Sequence, residues 1–235
     1  MMPLPIILWS LRKTRITLVA IVALSALAVS QSATSSMVSA PLITFTLDFP
    51  ESNPARYSIA VDATGHASYE CTGTVQQDSD PQAYRTEFEV SASTREKIFQ
   101  WAKQVKYFAG KIDSGNDKLA FTGAKVLSYR DGERSNTARY NYSNLQPVRD
   151  LTTLFQSMAG TLEYGRRLEY FHHYQKLALD VELKRMDAQA RNNELVEVQA
   201  VAPVLQKIAD DSTVINVVRA RARDLLSHGE TSSRR

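Results

Sequence analysis

The chain has 235 residues, a formal net charge of +3 and a single cysteine, Cys71. One cysteine excludes an intrachain disulfide, and a chain of this length buries an adequate core without such staples. The three excess positive charges sit in the first 30 residues, as Arg12, Lys13 and Arg15 with no acid, so the remainder is close to neutral. Acidic and basic residues alternate along it, without the basic face that a nucleic-acid binder uses to neutralise phosphates.

Arg12, Lys13 and Arg15 precede the uncharged run ITLVAIVALSALAV (Ile16 to Val29) and then SQSATSS, the three parts of a secretory signal peptide. The run is shorter than the roughly 20 residues of a membrane-spanning helix, so cleavage is expected. Ala28-Val29-Ser30 fits the small-residue rule for a mature chain starting at Gln31, with Ala26-Leu27-Ala28 second. The apolar MMPLPIILWSL ahead of the arginines keeps an uncleaved anchor as the alternative. The expected organisation is a signal peptide over 1–30, a Ser/Ala-rich linker over 31–41, an α+β domain over 42–160, a helical region over 161–229 and a disordered tail over 230–235.

In ITFTLDF, Ile43, Phe45, Leu47 and Phe49 alternate with polar residues, as in a half-buried strand. YSIAVD and HASYEC, joined by the glycine turn DATGH, form a hairpin, and YRTEFEV extends the meander. Ser93 and Glu96 fit a capping box, and Ile98, Trp101, Val105 and Phe108 form one helical stripe that Gly110 is placed to end. KLAFTGAKVLSYR and TARYNYS follow as two strand signals around the turn DGER. The expected fold class is α+β: an antiparallel sheet of about five strands covered on one face by the Trp101 helix, then an all-helical C-terminal region.

Pro147 suits a first helical turn. Val148, Leu151, Phe155, Met158 and Leu162 make one stripe; Tyr164, Leu168, Phe171, Tyr174, Ala178 and Val181 make another, roughly 160° around the cylinder. The switch near Gly160–Gly165 predicts either a kink or a straight helix that packs on both sides. Pro203 marks a restart. Ser212 is the expected cap of the last helix, with Val214, Val217, Val218, Ala222 and Leu225 inward. Arg219, Arg221 and Arg223 point in different directions at that spacing.

The stretch from ITFTLDFPESNPARYSIAVDATGHASYECTG through the Trp101 helix to NYS resembles a family of small uncharacterised exported bacterial domains, with its Y-x-I-x-V-x-x-x-G-x-x-x-Y hairpin and covering helix. The bend here, PESNPAR, has none of the cysteines found in many members. That resemblance implies fold and export only. VLQKIADDSTVINVVRARARDLL is similar to half of a HEAT-type helical pair, one copy of which makes no array.

Glu169-x-x-His172 has the spacing of carboxylate-bridged di-iron bundles, which need a second such motif. None occurs, and Glu169 and His173 fall on a charged stripe with Lys176, Asp180, Lys184 and Asp187 that reads as a solvated salt-bridge ladder. His172 lies at its border. Glu169 and His172 are therefore the metal candidates, but no metal set, cofactor or catalytic residue is assigned. Cys71 and His66, five residues apart on one strand, point to opposite faces, which makes Cys71 a small buried residue. Asp48, Glu51 and Asp62 near loops form no interpretable spacing. Tyr129, Tyr140 and Tyr142 could line an aromatic patch, although Tyr140 and Tyr142 alternate as a core face does. Asn141-Tyr142-Ser143 is a sequon that the bacterial resemblance makes idle.

The expected function is an exported, non-enzymatic module that contacts an unknown protein or small-molecule partner, by the sheet face or the helical part. It needs no cofactor, binds no nucleic acid, and touches the membrane only if its N-terminal segment stays uncleaved. The alternative is a hydrolase or other enzyme whose site is assembled from scattered residues.

Overall fold

The computed structural model of the chain describes residues 40–76 and 79–233. The expected signal segment and most of the linker lie outside the described residues. Six strands form one antiparallel sheet: β1 (Leu42–Asp48), β2 (Arg56–Asp62), β3 (His66–Gly73), β4 (Gln82–Glu89), β5 (Ala124–Arg130) and β6 (Ser135–Tyr140). Their spatial order is β4-β3-β2-β1-β5-β6. The count is six where about five were expected; the class, an antiparallel α+β sheet followed by helices, is as expected.

Strand alternation decides which side is covered. Ile43, Phe45 and Leu47 of β1, Ile59 and Val61 of β2, Tyr69 and Cys71 of β3, and Leu127 and Tyr129 of β5 are buried under the helices. The opposite face carries Thr44, Thr46, Ser58, Ser68, Ser128 and Thr137, none of them buried, with an Arg85–Glu70 ion pair near one edge. Asp62 shapes the β2–β3 turn, its Oδ1 accepting from the backbone N–H of Thr64, Gly65 and His66.

Helix α1 (Ala92–Gln104) is capped by Ser91, whose Oγ accepts from the Thr94 amide, and not by Ser93 with Glu96. The reason lies far away in sequence: the buried Glu197 accepts from both the Ser91 amide and its hydroxyl, at 2.8 Å each, and fixes Ser91 as the cap. The helix ends before Gly110. Lys106, Tyr107 and Phe108 are all left-handed, with φ of 53°, 53° and 64°, which costs on the order of 1–2 kcal/mol per residue. The turn is held by the Tyr107 ring, 4.4 Å from that of Tyr129 and 4.5 Å from the Arg134 guanidinium carbon, and by Asn136 donating to the Tyr107 carbonyl.

Helix α2 (Gln146–Tyr174) starts with Pro147 in its first turn and runs through Gly160 and Gly165 as one helix. The boundary expected at residue 160 falls inside it. Its first stripe packs on the sheet, with the Phe155 ring stacked 5.3 Å from Phe45. Its second half meets α3 (Leu179–Arg191) and α4 (Ala202–Asp210), and α5 (Asn216–Ser233) packs on those two helices. Buried Glu182 on α3 binds Arg167 of α2 at 2.5 Å, and Thr161 donates to the Val196 carbonyl. At Gly165 the Val201 side chain occupies the space where a Cβ would stand.

The second stripe does not persist. The chain leaves α2 at Gln175, so Tyr174 and Val181 are 67% and 51% exposed instead of packed. The expected salt-bridge ladder breaks there as well: Lys176 turns to Asp211, while Asp180 pairs with Lys184 and Arg221. Val214, just ahead of the last helix, and Val218, Ala222 and Leu225 within it are buried, but Val217 is exposed. Asp211 and not Ser212 organises the entry, accepting from the Thr213 amide and hydroxyl. The helix continues to Ser233, through most of the expected tail.

Gly165→Ala tests the α2 packing. In an exposed helix alanine gains about 1 kcal/mol over glycine; here the methyl meets Val201, and overpacking costs typically 1–3 kcal/mol. Urea denaturation is expected to show Gly165→Ala less stable than the parent, by about 1 kcal/mol.

Candidate functional site

Two charged residues face the sheet from the middle of α2. Glu163 and Arg166, one turn apart, are 6% and 5% exposed, and they close on β3. Tyr69 Oη donates to Glu163 Oε1 at 2.7 Å, and the Cys71 thiol reaches the same oxygen at 3.3 Å. Arg166 donates through Nη2 to the Gly73 carbonyl at 2.6 Å and through Nη1 to Cys71 Sγ at 3.3 Å. The guanidinium lies 3.6 Å from Glu163 Oε2 and over the ring of Tyr84. Each charge is thus paired and hydrogen-bonded, as buried charges must be.

This arrangement protects protons. Burial first, and the Glu163 charge second, push the Cys71 thiol up to about 11 and the Tyr69 phenol further still. A thiol becomes a nucleophile only as thiolate, and Cys71 is held neutral beside an anion. His66 is not its base: it stands on the other face of the sheet, with Nδ1 3.1 Å from Glu89 and Nε2 3.8 Å from Glu87. Cys71 is the buried residue that strand parity predicts.

The metal candidates separate. His172 Nε2 sits 2.9 Å from Asp211 Oδ2, an oxygen that also takes Lys176 Nζ at 2.6 Å, whereas Glu169 reaches toward Lys207 at 3.9 Å. Among the described residues, no group of three or more His, Cys, Asp or Glu side chains is placed to hold a metal ion. The Lys176 ammonium and the Thr213 hydroxyl and amide, aided by His172, hold the Asp211 carboxyl well below the usual carboxylate range. Of the tyrosines considered for a patch, Tyr129 and Tyr140 are buried and only Tyr142 is exposed.

A cavity of about 410 Å³ lies between the β5 and β6 ends and the first turns of α2. Its wall includes Lys125, Tyr140, Tyr142, Arg149, Thr153 and Gln156, and no aspartate or glutamate. Lys125 is 4% exposed, in the inward register of β5 two residues before Leu127. Its ammonium is enclosed by four neutral oxygens: the Thr122 carbonyl at 3.1 Å, Thr122 Oγ1 at 2.9 Å, the Gly123 carbonyl at 3.2 Å and the Asn141 carbonyl at 3.0 Å. Burial lowers its affinity for the proton, and no carboxylate offsets this. Arg149 donates to the Ser143 carbonyl at 3.1 Å and to Gln146. Asn141, the sequon residue, spends its side chain on Thr122 and Ala120.

Scanned against protein-family models and against curated proteins, the chain matches none.

Glu163, Arg166, Lys125 and Arg149 are not picked out by the sequence reading. Signals for two of them exist: Arg166 follows Leu162 by four residues, where the apolar stripe of α2 demands a core residue, and Lys125 shares strand parity with Leu127 and Tyr129.

Two outcomes follow. With its thiol protonated up to about pH 11, native Cys71 is expected to react with iodoacetamide at about pH 8 roughly a hundredfold more slowly than in the denatured chain. The folded carboxyl of Asp211 titrates below its unfolded value of about 3.9, so its stabilisation is present above that pH and is lost as pH falls toward the lower folded value. Acid titration of unfolding is expected to show a shallower loss of stability below about pH 4 in Asp211→Asn than in the parent.

Proposed function

We propose that the chain is an exported, non-enzymatic module that acts by contact with a protein or small-molecule partner. The observation that carries this reading is the state of the one thiol: Cys71 is buried, neutral and bonded to Glu163 and Arg166, with His66 across the sheet and His172 occupied by Asp211. Nucleophilic catalysis needs a base that accepts the proton and a substrate path to the nucleophile. Here burial, and after it the Glu163 charge, raises the thiol's proton affinity, against smaller lowering effects of Tyr69 and Arg166.

Export rests on residues 1–30, where a basic start, an apolar run and small residues follow one another. Among the described residues no helix is long and apolar enough to cross a membrane. The reading places the chain in the periplasm or outside the cell, with an uncleaved N-terminal anchor as the variant form. The open sheet face, small-residued at its centre and charged at its rim, the helical part and the cavity beside Lys125 are surfaces available for contact.

Sequencing the N-terminus of the chain isolated from its host is expected to give Gln31; an intact Met1 on a membrane-bound chain would sink cleavage. Purified chain is expected to turn over no ester, peptide or glycoside substrate, and hydrolysis that tracks the protein through purification would sink the non-enzymatic reading.

A further inference from the structure

The cavity beside Lys125 carries more than a general contact role. Placing an ammonium among neutral oxygens with no counter-ion is costly, because desolvation is repaid only in part by carbonyl dipoles. A neutral amine would fit worse. It has two N–H groups and a lone pair, and the lone pair would face one of the four oxygens around Nζ. The lysine is therefore kept as a cation. None of the ion pairs among the described residues includes Lys125 or Arg149, so two positive charges border the cavity without a carboxylate on either.

The remaining wall supplies donors. Thr152 donates its one hydroxyl proton to the Val148 carbonyl at 2.6 Å, so the Tyr140 phenol, 2.6 Å from Thr152 Oγ1, must be the donor of that pair, and both are consumed. Ser143 is spent on the Ile112 carbonyl. Arg149, Thr153 and Gln156 are different. They recur at i, i+4 and i+7 on α2, which sets them in one row toward the cavity. Two of the five guanidinium N–H groups of Arg149 are engaged, and no intramolecular bond is made by the side chains of Thr153 or Gln156 among the described residues. The ring of Tyr142, 43% exposed, offers an apolar flank.

We propose that this cavity binds a small organic oxyanion, with its charged end on the Arg149 fork and the Thr153 and Gln156 donors, under the field of Lys125, and its body against Tyr142. A planar guanidinium recognises a carboxylate or a phosphate ester with the same pair of parallel N–H bonds, so the shared chemistry is the oxyanion and the source is decided by experiment. Lys125, already saturated with hydrogen bonds, acts as a buried charge and not as a direct ligand. This assignment rests on the contact reading above and gives its small-molecule form a chemical class.

Isothermal titration of the full chain with benzoate, phenyl phosphate and the neutral benzamide separates the possibilities, because the three share one ring. At least one of the anions is expected to bind saturably with a Kd of about 1 mM or tighter, and benzamide at least about tenfold more weakly. Preference for benzoate identifies a carboxylate site and preference for phenyl phosphate a phosphate-ester site. Arg149→Gln is expected to weaken the preferred anion about tenfold or more. Arg149 also holds the Ser143 carbonyl, so the second variant is Gln156→Glu, which alters an exposed position and adds a carboxylate to the wall; it is expected to abolish anion binding with an unchanged melting temperature. The assignment is overturned by benzamide binding as tightly as the anions, by no probe binding, or by binding that Gln156→Glu leaves intact. If no probe binds while the chain still turns over no substrate, only the oxyanion assignment falls. Release of phenol from phenyl phosphate would instead overturn the non-enzymatic reading and leave the oxyanion site in place.

Discussion

The contact on which this molecule turns is the Glu163–Arg166 pair beneath β3. Helix α2 serves two clients, the sheet along its first half and the later helices along its second. Where the allegiance changes, a helix of purely apolar stripes would have no reason to hold one rotation against the sheet. The pair supplies that reason, because Glu163 and Arg166 engage Tyr69, Cys71 and the Gly73 carbonyl on β3 and the Tyr84 ring on β4. Buried ion pairs add little net stability, but leaving one member alone typically costs about 3–5 kcal/mol. Registers of α2 that strand either charge are therefore disfavoured, and the cluster defines one docking among several that hydrophobic burial alone would tolerate.

The same logic separates the molecule's polar groups by role. Glu163, Glu182 and Glu197 are buried acids, and each is answered by named donors that fasten one element to another: α2 to β3, α3 to α2, the Glu197 segment to α1. Lys125 is buried too, but the oxygens around it are neutral. Glu163 and Glu182 are balanced by Arg166 and Arg167, whereas Glu197, like Lys125, is met by neutral groups; of these two, Lys125 borders the cavity.

Much of the sheet was legible because strand parity is local: Ile43, Phe45, Tyr69 and Cys71 are buried as the alternation requires. Helix existence was legible for the same reason, and Pro147 and Pro203 do mark starts. What failed depended on distant partners. Ser91 outcompetes Ser93 as a cap because Glu197 arrives from the other end of the chain. The apolar pattern continues past Tyr174 although the helix does not, since Lys176 and His172 are drawn to Asp211 and the chain bends at Gln175. The candidate site was half legible: the inward parity of Lys125 is visible in one dimension, whereas the part played by Arg149, Thr153 and Gln156 emerges only after β5, β6 and α2 meet around the cavity.

The Glu197 cap has one more consequence, for the order in which the chain can finish folding. Ser91 and Glu197 are 106 residues apart, so the amide at the start of α1 has no complete partner until nearly the whole sequence has emerged from the ribosome. Contacts of such separation are entropically late. The sheet half, although it holds the six strands found among the described residues, is thus unfinished on its own. A chain interrupted after β6 would keep Ser91 but leave its amide and hydroxyl without Glu197, and the sheet face without α2, and would remain open to the machinery that handles unfolded chains until its last third closed over it.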